Sequence, residues 1–85
     1  MSTPPAAPSV QTQADRRRVA GWMVDLIRDR GRVSLPEMVD ELSARGDGRW
    51  IVDGHGVDDR LLATFRRSHA GTIRWVQAGQ YWTSV

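Results

Sequence analysis

Every basic side chain in this sequence is arginine, since the twelve Lys and Arg residues are all Arg. A guanidinium is a planar fork that matches two phosphate oxygens or the O6/N7 edge of guanine, so spacing decides what it can do. Arg16, Arg17 and Arg18 are consecutive. Arg60, Arg66 and Arg67 fall, at about 100° per residue, with Asp59 and Ala63 along one side of a helix. A different cluster, Asp53-Gly54-His55-Gly56 with Asp58 and Asp59, carries residue types found in metal and hydrolytic loops. One histidine among scattered aspartates fixes no coordination geometry, and no nucleophile–base pair stands elsewhere. The chain has no cysteine, and His55 and His69 are not at a zinc-site spacing. A non-enzymatic protein without metal, cofactor or small-molecule substrate is expected.

The net charge of +2 is too small to name a partner, but its distribution says more. Residues 16–34 carry six arginines against Asp25 and Asp29. Residues 35–56 carry Glu37, Asp40, Glu41, Asp47 and Asp53 against Arg45 and Arg49. Residues 57–85 carry four arginines against Asp58 and Asp59. Two basic segments flank an acidic one. Lysine and asparagine are absent while Ala, Val and Gly abound, a bias that GC-rich coding also produces.

These side chains need elements to hold them, and 85 residues make one domain. Residues 1–12 hold all but one of the prolines and no charged side chain, so a disordered tail is expected there and a folded domain over 13–85. No apolar run reaches membrane-spanning length, and Met1 to Val10 lack the pattern of a signal peptide; a cytoplasmic protein is expected. Val19, Trp22, Met23, Leu26 and Ile27 recur at helical spacing between a Thr12 cap and a Gly31 stop. Arg32-Val33-Ser34 is a short extended link. Ser34 and Glu37 form a capping-box pattern with Pro36 in the first turn, and Leu35, Met38, Val39 and Leu42 give the second helix its apolar face.

Residues 46–56 hold four glycines around Trp50-Ile51-Val52, compatible with a loop, a short strand or a helical turn. A third helix is expected over Val57 to His69, with Val57, Leu61, Leu62 and Phe65 inward. The last fourteen residues predict a hairpin with a two-residue Ala78-Gly79 turn. That register sets Gln77 against Gln80, Val76 against Tyr81, Trp75 against Trp82 and Arg74 against Thr83. Trp75 and Trp82 then share a core-facing side with Ile73, and Trp22 also lies on a core face; Trp50 is expected to pack beneath the insert.

The order helix, extended link, helix, helix and terminal hairpin over about residues 15 to 85 resembles the winged helix-turn-helix superfamily. The segment VSLPEMVDELSARG is similar in style to the second helix of such domains, and the spacing of elements resembles linker-histone globular domains and bacterial or phage regulators. The resemblance implies an α+β fold of three helices with a C-terminal β-hairpin wing. It also implies binding of double-stranded DNA, with the third helix in the major groove. Its reading face would be Arg60, Ala63, Arg66 and Arg67 with Thr64 at the edge; the wing would offer Arg74, Gln77 and Gln80. Arg16, Arg17 and Arg18 would add phosphate contacts if they lie on the same side, and otherwise form a solvated helix start. A small transcriptional or nucleoid-associated regulator is expected, its size suggesting phage or mobile-element coding.

Two features depart from that pattern. Asp58 and Asp59 stand where a docking helix meets phosphate, unless tied up by Arg60 or helix amides. The acidic second helix and the long glycine-rich insert are also unusual for a tight helix-turn-helix. With so few basic contacts in one domain, a second copy or a protein partner is expected to strengthen binding. The rival expectation is a protein-interaction module using the acidic face of Glu37, Asp40 and Glu41 or the outer hairpin face of Val76 and Tyr81.

Overall fold

Thr12 and Ser34 start the first two helices in this computed structural model, which describes residues 12–69 and 71–85. Of the expected tail, residues 1–11 lie outside the described residues, and Thr12 is the cap of α1 (Gln13–Arg30). Its hydroxyl oxygen accepts the Asp15 N–H at 3.0 Å. Gly31, at φ 82°, turns the chain out of α1 and donates its N–H to the Ile27 carbonyl at 2.7 Å. The chain runs directly into β1 (Arg32–Ser34) and α2 (Leu35–Ala44). Both bonds of the capping box form: Ser34 Oγ accepts from Glu37 N at 3.2 Å, and Glu37 Oε1 accepts from Ser34 N at 2.8 Å.

The insert is a folded hairpin on a helical turn. Gly48–Trp50 make one 3₁₀ turn, and β2 (Ile51–Val52) pairs antiparallel with β3 (Gly56–Val57). The reversal passes through Asp53 and Gly54, both left-handed at φ 54° and 76°, the backbone an Asp-Gly hairpin turn demands. Trp50 has no exposed surface and packs into the core, as expected. Pairing of Val57 with Ile51 corrects the start of the third helix, because Val57 is extended and α3 spans Asp59–His69.

The C-terminal hairpin has the register read from alternation: β4 (Ile73–Val76) pairs with β5 (Tyr81–Ser84), Trp75 opposite Trp82 and Arg74 opposite Thr83. Its turn differs. Neither Ala78 nor Gly79 is left-handed; the reversal spreads over residues 77–80, and Gln80 takes the left-handed position at φ 52°. Gln80 is held by its carbonyl, which accepts from Leu35 N at 2.9 Å and fastens the hairpin to the start of α2.

β1 joins the other edge of β5, giving a sheet ordered β1-β5-β4. Among the described residues the fold is α+β, three α-helices with a three-stranded sheet that ends in a hairpin and a second, two-stranded sheet, as the resemblance implied. Val19, Met23 and Ile27 of α1 meet Met38 and Leu42 of α2 and Leu61 and Phe65 of α3 in one core, closed by Val33 and Trp82 of the sheet. None of the described helices is long and apolar enough to cross a membrane.

Candidate nucleic-acid interface

Asp58 decides how α3 begins. Its Oδ2 accepts the N–H groups of Arg60 and Leu61 at 3.0 and 3.1 Å, so one of the two suspect carboxylates is occupied by helix amides. Asp59 is exposed in the first turn, where a negative charge complements the helix dipole. From this start α3 presents Arg60, Arg66 and Arg67 to solvent, with Ala63 half-buried among them.

Thr64 does not belong to that face. It is 4% exposed, and its hydroxyl donates to the Arg60 carbonyl at 3.2 Å. The resemblance put it at the edge of the reading face, but the core reaches round to it. It serves the helix: Arg67 Nη2 reaches Thr64 Oγ1 at 3.4 Å, drawing the guanidinium along the helix surface.

On the hairpin, Arg74 is exposed. Gln77 and Gln80 are exposed too, closing the turn through a Gln80 N–H bond to the Gln77 carbonyl at 3.2 Å. The Gln77 side-chain oxygen accepts the Trp75 indole N–H at 2.7 Å, which leaves its amide NH₂ as the outward donor. Trp75 corrects the expectation of burial: it is 37% exposed, leaning on buried Trp82 with ring centres 4.7 Å apart. Trp22 is half-buried and packs against the core as expected, its outer side covered by Arg45 with the guanidinium carbon 4.2 Å from the ring centre.

The three consecutive arginines do not form one clamp. Arg18 pairs with Asp15, Arg16 donates to Gln13 Oε1 at 3.0 Å, and Arg17 is exposed. Asp15 is also bound by Arg49 from the insert, with Nε at 3.1 Å. Burial pushes the Asp15 carboxyl up, but hydrogen bonds and charge from Arg49 and Arg18 outweigh it and hold the group below its ordinary value. Arg49 Nη1 goes on to buried Asp47 at 2.8 Å, whose second oxygen takes Arg45 Nε at 2.7 Å. This chain of ion pairs fastens the start of α1 to the insert. No local spacing signals it, because Asp15 and Arg49 lie 34 positions apart.

The surfaces of the rival reading are partly occupied. Glu37 serves the capping box, Glu41 holds Arg30 at 2.8 Å, and half-buried Tyr81 lies under Arg32 at 4.9 Å. Among the described residues no group of three or more His, Cys, Asp and Glu is placed to hold a metal ion.

Arg18, Arg30, Arg45 and Arg49 hold carboxylates, whereas Arg60, Arg66, Arg67 and Arg74 hold none among the described residues. Arg17, Arg28 and Arg32, around α1 and β1, hold no carboxylate among the described residues, Arg28 donating to Thr72 and Arg32 lying over Tyr81. On α3 and the hairpin every arginine is in that state. No curated protein and no solved structure matches the chain. The profile of DUF6953, a family of unknown function, matches residues 15–84, and the chain belongs to that family.

Proposed function

We propose that this protein binds double-stranded DNA as a winged helix-turn-helix domain, acting in the cytoplasm as a small transcriptional or nucleoid-associated regulator. α3 enters the major groove with Arg60, Arg66 and Arg67, and Ala63 between them allows close approach. Arg74 and the amides of Gln77 and Gln80 meet the flanking backbone. Arg17 is an accessory phosphate contact; Arg16 and Arg18 stay with their neighbours on α1.

The observation that carries this reading is that every arginine of α3 and the hairpin is without a carboxylate partner among the described residues. A guanidinium already paired with a carboxylate must give up that pair to bind phosphate. The four on α3 and the hairpin have no such partner, and Asp58 beside them is engaged by helix amides. With each of these four guanidiniums displacing about one counterion from the duplex, affinity falls on the order of 100-fold between about 50 and 200 mM salt.

The test is an NMR titration of labelled protein with a short mixed-sequence duplex at low and then moderate salt. Shifts over residues 60–67 and 74–81 that fade with salt are expected. R60A and R67A should each weaken binding roughly tenfold, in keeping with about 1–3 kcal/mol per well-placed arginine. Unchanged affinity in both variants removes α3 as the reading helix. Absence of shifts at either salt rejects DNA binding and favours a protein partner.

A further inference from the structure

Between α3 and the hairpin lies a cavity of about 540 Å³. Leu62 and Phe65 line it from α3, and Ile73, Trp75 and Trp82 from the sheet. That volume falls within the range of small-molecule sites, and apolar walls with a few polar groups are their usual make-up. Its polar groups are of one kind. Arg66, Arg74 and His69 contribute to the lining, and among the described residues no carboxylate does.

Each of these groups has capacity left. Arg66 and Arg74 have no ion-pair partner among the described residues. His69 Nδ1 accepts the Gly71 N–H at 3.1 Å, so a neutral ring carries its proton on Nε2 and offers a donor. Its ring is fixed edge-on against Phe65, with centres 4.9 Å apart. Trp75 is likewise held in place by its bond to Gln77.

The geometry points to a binding site for a small organic carboxylate with an apolar, aryl-sized body. The body lies between Phe65, Leu62 and the Trp75–Trp82 pair, and the carboxylate meets Arg66 with Arg74 at the lip. A neutral apolar molecule would leave these cations unused, and a polyanion would gain nothing from the aromatic walls. The site does not rest on the DNA reading, although it shares residues with it. Because Arg66 and Arg74 belong to both surfaces, a bound carboxylate also withdraws two guanidiniums from duplex.

The test uses the full chain, no DNA, and two probes of nearly equal shape: 4-phenylbutyrate and the uncharged 4-phenylbutan-1-ol. The Trp75 indole N–H signal and the Phe65 and His69 resonances report occupancy. Saturable shifts at all three with the acid are expected, with the alcohol at least tenfold weaker. R66Q should weaken the acid about tenfold and leave the alcohol unchanged, while R66K retains part of the difference. Arg66 is exposed, so these variants keep the fold, and an unchanged Trp75 signal in the free proteins verifies it. Lack of saturable shifts with the acid overturns the site. Equal affinity for acid and alcohol, or indifference of the acid to R66Q and R74Q alike, overturns its selectivity for carboxylates. Since duplex is absent, failure here leaves the DNA reading standing.

Discussion

Asp47 is 5% exposed, yet both of its oxygens are used, one by Arg45 and one by Arg49. A buried carboxylate survives only with such compensation, since its desolvation is costly. Replacing it by Asn keeps the shape and one acceptor but leaves two guanidiniums facing a neutral amide. D47N is expected to lose about 1.5–3 kcal/mol in urea unfolding, the range for hydrogen bonds to charged groups. Exposed Asp40, changed to Asn, should stay within about 0.5 kcal/mol. Equal effects would mean that the ion-pair chain contributes nothing beyond surface charge. At this scale the sequence was a partial guide. Exposure of Arg60, Arg66 and Arg67 follows from helical arithmetic, because it depends only on position around one helix. The burial of Thr64 and the Asp15–Arg49 pair depend on what packs alongside, which no local pattern carries.

Elements were legible where a cap or a period of sufficient length marked them. Thr12, Ser34 with Glu37, and Gly31 bound two helices, and alternation from Ile73 to Thr83 fixes the hairpin register. β2 and β3 have two residues each, too short for any period, although Asp53-Gly54 between Val52 and Val57 was the available hairpin signal. The second turn misled for a different reason. Gly79 is needed for space, not for a left-handed backbone. A Cβ built there lies 2.6 Å from Cε2 of the Tyr81 ring. G79A must therefore swing Tyr81, which disturbs its contact with Arg32 at 4.9 Å. A loss of about 1 kcal/mol is expected, with amide shifts over residues 76–82. In a Y81A background the same substitution should cost almost nothing. An undiminished cost there would place its origin in the backbone instead.

For the whole molecule, pH separates two sites of stabilisation, His69 where α3 meets the hairpin and Asp15 where α1 meets the insert. His69 sits half-buried at the end of α3, edge-on to Phe65, near Arg28, which itself donates to Thr72 at 2.9 Å. Burial lowers its basicity most, and the positive charges of Arg28 and Arg66 add to this against a smaller opposing contribution from its own backbone. The folded protein therefore prefers the neutral ring, and the unfolded chain binds the proton more readily. This contribution is full above the ordinary histidine value near 6.5 and is lost as pH falls from there through the lower folded value. Asp15 acts in a separate window. Its folded carboxyl is also held low, so its contribution is complete above its ordinary value of 3.8 and disappears only in stronger acid. Melting temperature is expected to be flat from about pH 8 to 7 and to fall first as pH drops below about 6.5, before the carboxylates titrate. H69Q should flatten that first fall and leave the acid limb unchanged, while D15N should weaken the acid limb and leave the first fall in place. A first fall that survives in H69Q would assign it to another group and detach His69 from the stability of the α3–hairpin junction.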